Sequence, residues 1–509
     1  DDQATINGLK QEIEQAWKGD KFNERTFNTR ALFREVLAQD YELIRQGDVE
    51  LRVPIDASPA LRARMFDEIR VARETFERRY RVDLPEIRVE VYRTPREFAV
   101  RTIGVPALGA LGVCFGPVVT LVGPFRGRFN FSRILWHELA HSYALAASDR
   151  RVPRWFTEGL SEWEAGQRDG SWRATITEEL AAIHHAGASV PLSQLEGAFV
   201  LAESHHAMGR AYLQATAAVE FLMTKLGDSG LREALTAFGS GQQTDEVLPR
   251  LLGISPRELD AQYQRWISNR VRGVTTGWVP PTGEDRAPDV RLDHWERANG
   301  ALERGDLEAC LQQLDLLDRA DGIGYASLLL RGIVRRERGE FASAIETLRK
   351  AEEYTSARSE HLVLLARIAR DAGDEPAEED ALRTVLRRDF SNAEAPARLV
   401  ILTLAAGSST PEPFLMERLQ QIAPTSPRTL AIVALRLADQ GARRPARELL
   451  DLALAADPTD ADTLLLIALA ARACDRSNDA TTAAARASRK ALSPASRRLL
   501  TTHWPASRR

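Results

Sequence analysis

Residues 131–166 read FSRILWHELAHSYALAASDRRVPRWFTEGLSEWEAG. Within this stretch His137, Glu138 and His141 stand in the order His-Glu-x-x-His. Residues four apart on an α-helix lie one turn apart on the same face, so both imidazoles can reach a single ion. Glu138 then points elsewhere, toward a water that such an ion would hold. A catalytic zinc takes three protein ligands and keeps a fourth position for water, so a third ligand is expected downstream. Glu158 is the best candidate. The polar break at Ser148 to Arg151 and the following Pro153 predict a second helix ending near Gly166, joined to the first by a short turn and able to pack antiparallel to it. Glu162 is one turn beyond Glu158 and faces the same side, where a carboxylate could take the free N–H of a ligand histidine. A solvent-facing acid is the alternative reading of Glu162, of equal weight, while Glu164 projects to another face.

Upstream, residues 1–48 read as helical, with Ile6, Leu9, Ile13 and Trp17 and then Leu32, Val36 and Leu37 at helical spacing. At Val49, Leu51, Val53 and Ile55 the period changes to two, the signature of a strand, and a long helix over Pro59 to Arg79 follows. Ile87, Val89 and Val91 alternate as a second strand, and Thr94-Pro95 starts a short helix that stops at Gly104. Val118, Val119, Leu121 and Val122 predict a third strand, and Ser132 is positioned to cap the helix that carries the two histidines. Downstream, helices dominate to about Arg272. Amide hydrolysis at a metal also needs a hydrogen-bond donor for the oxyanion, and Tyr212, His205 and His206 are the candidates on a later helix. For a lone aromatic on a helix, a core role is the more frequent explanation of Tyr212.

The C-terminal part has a register of its own. Gly305, Gly339, Gly373, Gly407 and Gly441 follow one another at 34-residue steps, and the next step lands on Asp475. Seven residues before each turn stand Ala298, Gly332, Ala366, Val400, Ala434 and Ala468; twelve residues after it stand Leu317, Ala351, Val385, Leu419, Ala453 and Ala487. Small residues where backbones approach, and a flexible residue where the chain reverses, predict stacked helical hairpins. Residues 274–290, VTTGWVPPTGEDRAPDV, lack periodicity and read as an interdomain linker. The expected plan is a helical segment over 1–48, an α+β domain with a small mixed sheet over 49–273, this linker, and an all-α repeat domain over 291–509.

HELAH at 137–141 and WFTEGLSEW at 155–163 resemble the gluzincin metallopeptidases, the class of thermolysin and aminopeptidase N, over roughly residues 49–270. The chain looks closest to bacterial peptidase-MA-like proteins that carry tetratricopeptide repeats, and the 34-residue period, the GEFASAI segment at 339–345 and Asp457-Pro458 resemble such repeats. The resemblance implies one zinc ion per chain held by His137, His141 and Glu158, Glu138 as the base, and a later tyrosine, here Tyr212, as the oxyanion donor. It also implies that an edge strand, placed near Gly116 to Val122, pairs with extended substrate backbone. Glu378 and Glu412 stand where the repeat usually has a small residue, which puts local geometry there in question. Relatives of this organisation are commonly exported, which points outside the cytoplasm.

Composition narrows the alternatives. A hydrophobic share of 44%, a charged share of 28% and a net charge of -4 with interspersed signs exclude a disordered chain and argue against a nucleic-acid binder. The basic residues are mostly Arg, which suggests a GC-rich bacterial genome, and three scattered cysteines form neither a disulfide framework nor a metal knot. No apolar run is long enough to span a bilayer, and the chain opens Asp-Asp without a signal-peptide pattern. The expected activity is peptide-bond hydrolysis, with endopeptidase action favoured because no motif that would anchor a free amine is visible. The repeats are expected to bind substrate or a partner protein. The rival reading is an inactive peptidase-like scaffold that assembles partners through its repeats, and a zinc amidase for a non-peptide amide would share the same site.

Overall fold

A computed structural model of the chain describes residues 11–505 apart from 13, 17, 19, 21–22, 126–128, 275–277 and 279–288. The chain is mostly helical, with one mixed five-stranded sheet near its N-terminus. Among the described residues no helix is long and apolar enough to cross a membrane. Contacts divide the chain into two units: Asp1–Asp169, Ser189–Trp266 and Gln421–Thr425 form the first, and Gly170–Ala188, Ile267–Gln420 and Ser426–Arg509 the second.

The first unit begins with helix α1 (Glu24–Ala31), whose N-cap Asn23 accepts from the Thr26 N–H. The chain stays helical through a π-helical turn at Leu32–Val36 and a last turn at Leu37–Asp40, as the spacing of Leu32, Val36 and Leu37 led one to expect, and the helical expectation for residues 1–48 fails only beyond Asp40. Tyr41–Gln46 is strand β1, paired antiparallel with β2 (Val49–Pro54) across a turn in which Gly47 has a φ of 59°. The reversal at a glycine lets the chain fold back, and β2 supplies the hydrogen-bond partners that stabilise β1. Of the four residues that suggested the first helix, Ile6, Leu9, Ile13 and Trp17, all lie outside the described residues.

Helix α2 (Pro59–Tyr80) starts where expected, with Ser58 accepting from the Leu61 N–H and a proline in its first turn. Strand β3 (Ile87–Tyr92) runs parallel to β2. Helix α3 (Pro95–Ile103) has a reciprocal capping box between Thr94 and Glu97 and ends at Gly104 in the left-handed conformation. The sheet then gains β4 (Gly112–Cys114) and β5 (Val118–Val122), in the spatial order β1-β2-β3-β5-β4. The strand expected over Gly116 to Val122 is therefore interior, parallel to β3 on one side and antiparallel to β4 on the other. A strand paired on both sides has no free main-chain groups, so the expectation of an edge strand fails for it; β4 ends the sheet on that side.

Leu51, Val53, Val89, Val91, Val119 and Leu121 alternate along β2, β3 and β5 and are fully buried. The intervening residues carry charge instead: Arg52 Nη1 donates to Glu90 Oε1 at 3.0 Å, and Arg88 Nε to Glu50 Oε2 at 2.6 Å. Helix α4 (Phe131–Ala147) packs on α2, β4 and β5. Its cap is Asn130, which accepts from the Arg133 N–H, rather than Ser132. Ser132 lies inside the first turn, where its hydroxyl donates to Glu68 Oε1 at 3.2 Å. Phe76 of α2 meets Trp136 and Tyr143 of α4 with ring centres 5.2 and 5.5 Å apart, so one face of α4 is buried in an aromatic cluster.

The turn after α4 sets the direction of α5 (Arg154–Arg168). Ser148 Oγ donates to the Ala144 carbonyl and accepts from the Val152 N–H, and Asp149 and Arg150 both adopt positive φ, 47° and 60°. Two successive left-handed non-glycine residues cost on the order of 1–2 kcal/mol each, and they reverse the chain within a few residues. Later come α6 (Ile176–His185), α7 (Leu195–Val200) and the long α8 (His205–Gly239), which is broken at Gly227. Then follow α9 (Thr244–Leu252) and α10 (Pro256–Arg270).

The second unit corrects the expected domain boundaries. Residues 170–188, including α6, belong to it, and the return to it falls inside α10 rather than in the 274–290 segment, most of which lies outside the described residues. Glu178 of α6 is buried and accepts from Thr355 Oγ1, the Ser356 N–H and the Ala357 N–H at 2.8–2.9 Å. A buried carboxylate is tolerated when it collects donors in this way, and the partners sit more than 170 residues away.

Downstream the helices are α11 (Val290–Glu303), α12 (Leu307–Asp321), α13 (Tyr325–Glu337), α14 (Phe341–Lys350), α15 (Glu360–Ala372) and α16 (Glu375–Arg388). They continue as α17 (Glu394–Ala405), α18 (Pro413–Ile422), α19 (Pro427–Asp439), α20 (Arg443–Ala455), α21 (Ala461–Ala473), α22 (Ser477–Ser488) and α23 (Pro494–His503). The five register glycines and Asp475 all have positive φ, between 60° and 102°, in the turns that join α11 to α12, α13 to α14 and so on. The small residues of the two flanking registers, Ala298 and Leu317 through Ala468 and Ala487, are buried. At Gly332 a Cβ would stand 2.5 Å from Leu348 Cδ2, which is the close helix approach that the pattern anticipated.

Glu378 does not disturb this arrangement. It is 1% exposed and receives Nε and Nη2 of Arg398, itself 2% exposed, at 2.6 and 3.1 Å. Arg398 also donates to Ser493 Oγ at 2.8 Å and Ser496 Oγ at 3.1 Å, tying α17 to α23. Glu412 remains half-exposed ahead of α18, 3.5 Å from Arg383. Glu378→Ala would leave a buried guanidinium short of its main partner and should cost the helical unit about 3–5 kcal/mol in urea unfolding. Replacing both partners with apolar residues should recover most of that loss; a loss under about 1 kcal/mol for the single variant would mean that the pair is dispensable.

Candidate metal centre

His137 and His141 face the same side of α4, and α5 brings Glu158 to them. The Nε2 atoms of the histidines are 3.1 Å apart, and Glu158 Oε2 is 3.5 Å from the first and 3.2 Å from the second. Among the described residues this is the group of three His, Cys, Asp or Glu side chains whose donor atoms converge closely enough to hold one ion. All three expected ligands are therefore together. Zinc ligands at about 2.0–2.1 Å in a tetrahedral arrangement sit roughly 3.3–3.4 Å from one another, and the observed triangle has that size. Two imidazole lone pairs at this separation repel unless a cation or a proton lies between them, so the donor set fits a zinc ion.

The outer nitrogens of both rings are held by α5. His137 Nδ1 is 3.1 Å from Glu162 Oε1, and Arg133, one turn earlier on α4, forms an ion pair with the same carboxylate. The oxygen lies off the ring's N–H axis, so the contact is one of charge rather than an aligned hydrogen bond. Glu162 is thus engaged with His137 and is no solvent-facing acid. His141 Nδ1 is 2.8 Å from Thr157 Oγ1, and both side chains are buried. Sequence reading missed Thr157, and its position directly before Glu158 was the available signal. With Thr157 on Nδ1 of His141 and the Glu162 carboxylate beside Nδ1 of His137, Nε2 of each ring is left to face the triangle.

Burial alone would raise Glu158, but hydrogen bonds to His137 and His141 hold it well below the usual carboxylate range. Burial also works against Glu162, and Arg133 and His137 bring it down to about 2. Burial would lower His137, yet Glu158 and Glu162 draw it up to about 10. Carboxylates that pull a proton onto an imidazole in this way are calling for positive charge at the triangle. Glu138 shifts the other way: it is 7% exposed, and burial raises its carboxyl, with the two histidines only partly offsetting this. Its side chain lies against the edge strand, since a Cβ on Gly112 would stand 2.6 Å from Glu138 Oε1.

Of the three candidate donors, the structure brings Tyr212 to the centre. Burial and then the nearby Glu158 carboxylate raise its hydroxyl well above the ordinary tyrosine value. His205 is exposed and lies beside the loop before β4, its Cε1 3.6 Å from where a Gly109 Cβ would be. His206 is exposed as well.

Gly159 explains how α5 comes so close to α8. A Cβ there would stand 2.4 Å from the Ala215 carbonyl oxygen. Glu164, on the opposite side of α5, is fully buried, forms an ion pair with Arg79 and accepts from Tyr80 Oη at 3.1 Å. Burial pushes its carboxyl up to about 7 against the pull of Arg79. A carboxyl whose folded pKa exceeds its unfolded value stabilises fully below the unfolded value, and that contribution is lost as pH rises through the folded one. Relative to Glu164→Gln, the wild-type chain should therefore lose on the order of 2–3 kcal/mol of unfolding free energy between about pH 4.5 and pH 7. Urea titrations of both proteins across that window measure the difference, and a gap that stays constant would refute the assignment.

No protein-family model matches the chain, and no curated protein matches it significantly.

Proposed function

We propose that this chain is a zinc-dependent peptidase of the gluzincin type, one zinc ion per chain, acting as an endopeptidase on extended peptide. The observation that carries the reading is the triangle of His137 Nε2, His141 Nε2 and Glu158 Oε2, 3.1–3.5 Å on a side, with the buried Glu138 beside it. When bound, zinc supplies Lewis acidity and lowers the pKa of a coordinated water. Glu138, a buried carboxylate with an elevated pKa, takes the proton of the attacking water and returns it to the leaving amide nitrogen as the C–N bond breaks. Tyr212 donates to the carbonyl oxygen as it gains charge. Glu162 and Thr157 hold the histidine rings in the tautomer that directs Nε2 to the ion.

Strand β4 ends the sheet beside Glu138, and its free edge suits main-chain pairing with an unfolded segment. The 34-residue hairpins of the second unit are read as tetratricopeptide-like repeats that bind substrate or a partner protein, and an exported bacterial setting fits the family resemblance. Elemental analysis should find one zinc per full-length chain, lost on chelation together with cleavage of a casein-type substrate. His137→Ala should lose both. A folded chain that binds no zinc and cleaves nothing would sink the hydrolase reading and leave a scaffold.

A further inference from the structure

Arg154 stands one helical turn before Glu158 at the start of α5, with 52% of its side chain exposed and its Nε 3.8 Å from Glu158 Oε1. That oxygen is the one turned away from the histidines, since Oε2 meets both Nε2 atoms. The guanidinium carbon lies 5.3 Å from the centre of the Phe199 ring, and Tyr212 meets the same ring edge-on with centres 5.2 Å apart. Buried Phe199 thus acts as a wedge that presents a guanidinium and a phenol to the same carboxylate. An ion pair at 3.8 Å is loose, and a guanidinium with five N–H donors has capacity beyond it.

We propose that Arg154 is a second catalytic donor, which together with Tyr212 hydrogen-bonds the carbonyl oxygen of the scissile amide as that oxygen becomes negative. The proposal rests on the hydrolase reading above. Arg154 stays protonated throughout. The water oxygen bonds to the carbonyl carbon, its proton passes through Glu138 to the nitrogen, and the C–N bond breaks; Arg154 contributes hydrogen bonds and charge. Charge-assisted hydrogen bonds strengthen as the oxygen moves from a neutral carbonyl to an oxyanion, so the contribution falls on the transition state rather than on substrate binding. A phenol near a carboxylate is a weaker donor at that moment, which gives the permanently charged neighbour its value.

The test compares Arg154→Gln and Arg154→Lys with the wild-type full-length chain, measuring zinc content, steady-state kinetics on a casein-derived peptide, and affinity for a phosphinic peptide that mimics the tetrahedral intermediate. For Arg154→Gln the expected result is unchanged zinc, a kcat about 100-fold lower, a KM within about threefold, and an inhibitor affinity weakened by a similar factor to kcat/KM. Arg154→Lys, which keeps charge but not the fork, should fall between. Unchanged kcat and inhibitor affinity would overturn the proposal, as would a rise in KM alone, which marks ground-state binding. Loss of zinc in both variants would overturn it too, because Arg154 would then act by positioning Glu158. Wild-type chain without zinc or cleavage would instead overturn the hydrolase reading and this proposal together.

Discussion

Glu138→Gln should leave one zinc per chain and lower kcat by about a thousandfold, with KM little changed. The magnitude follows from the two jobs assigned to one carboxylate, accepting the proton of water and delivering it to the leaving nitrogen, for which general acid–base catalysis typically contributes 10²–10⁴-fold. The separation of metal binding from turnover follows from geometry, because Glu138 lies against Gly112 of the edge strand while the metal triangle is built from His137, His141 and Glu158. The amide keeps the shape and cannot take the proton. Elemental analysis and steady-state kinetics on the same preparation read the two halves of the result. Turnover within tenfold of wild type would remove Glu138 from the mechanism.

Gly159→Ala should damage the site through a different route. The added methyl would stand 2.4 and 2.6 Å from the oxygen and carbon of the Ala215 carbonyl. These are backbone atoms of a packed helix, so α5 and α8 must separate, and overpacking of this kind costs about 1–3 kcal/mol or more. Alanine's better helix propensity returns only about 1 kcal/mol of that. The larger effect falls on Glu158, the adjacent residue, whose carboxylate leaves the triangle when α5 shifts. Zinc affinity should drop by at least about tenfold, a scale at which supporting residues of metal sites act. Gly209→Ala is the matched control, because it lies on the same α8 with open space around its Cβ position, and it should be neutral or stabilising by up to about 1 kcal/mol. If Gly159→Ala matched that control in zinc affinity and in urea unfolding, the close approach of α5 and α8 would not be what places Glu158.

Much of this could be read along the chain because local chemistry encodes it. The start at Pro59, the cap at Thr94, the stop at Gly104 and the alternation in β2 and β3 are short-range signals, and the structure follows them to within a residue or two. The glycine register worked for the same reason: a left-handed turn admits few residue types, and the close helix approach demands small ones. His137 and His141 were legible because one helix fixes their spacing by itself.

What was misread depends on partners outside the segment itself, some adjacent in sequence and some far away. Strand β1 exists because β2 folds back onto it, and three-residue β4 exists because β5 is there to pair with it; neither YELIRQ nor GVC declares itself alone. Residues 170–188 join the second unit through Glu178 and the 355–357 loop, and Glu378 is buried because Arg398 comes to meet it. Sequence by itself thus determined the helix and turn vocabulary, the repeat period and the identity of the three donor residues. Tertiary structure decided that those donors meet, that Thr157 and Glu162 orient the rings, and that Arg154 and Tyr212 share one carboxylate. The reason is that spacing within one helix is set by its pitch, whereas the distance between helices is set by a strained turn at Asp149 and Arg150 and by a methyl group missing at Gly159.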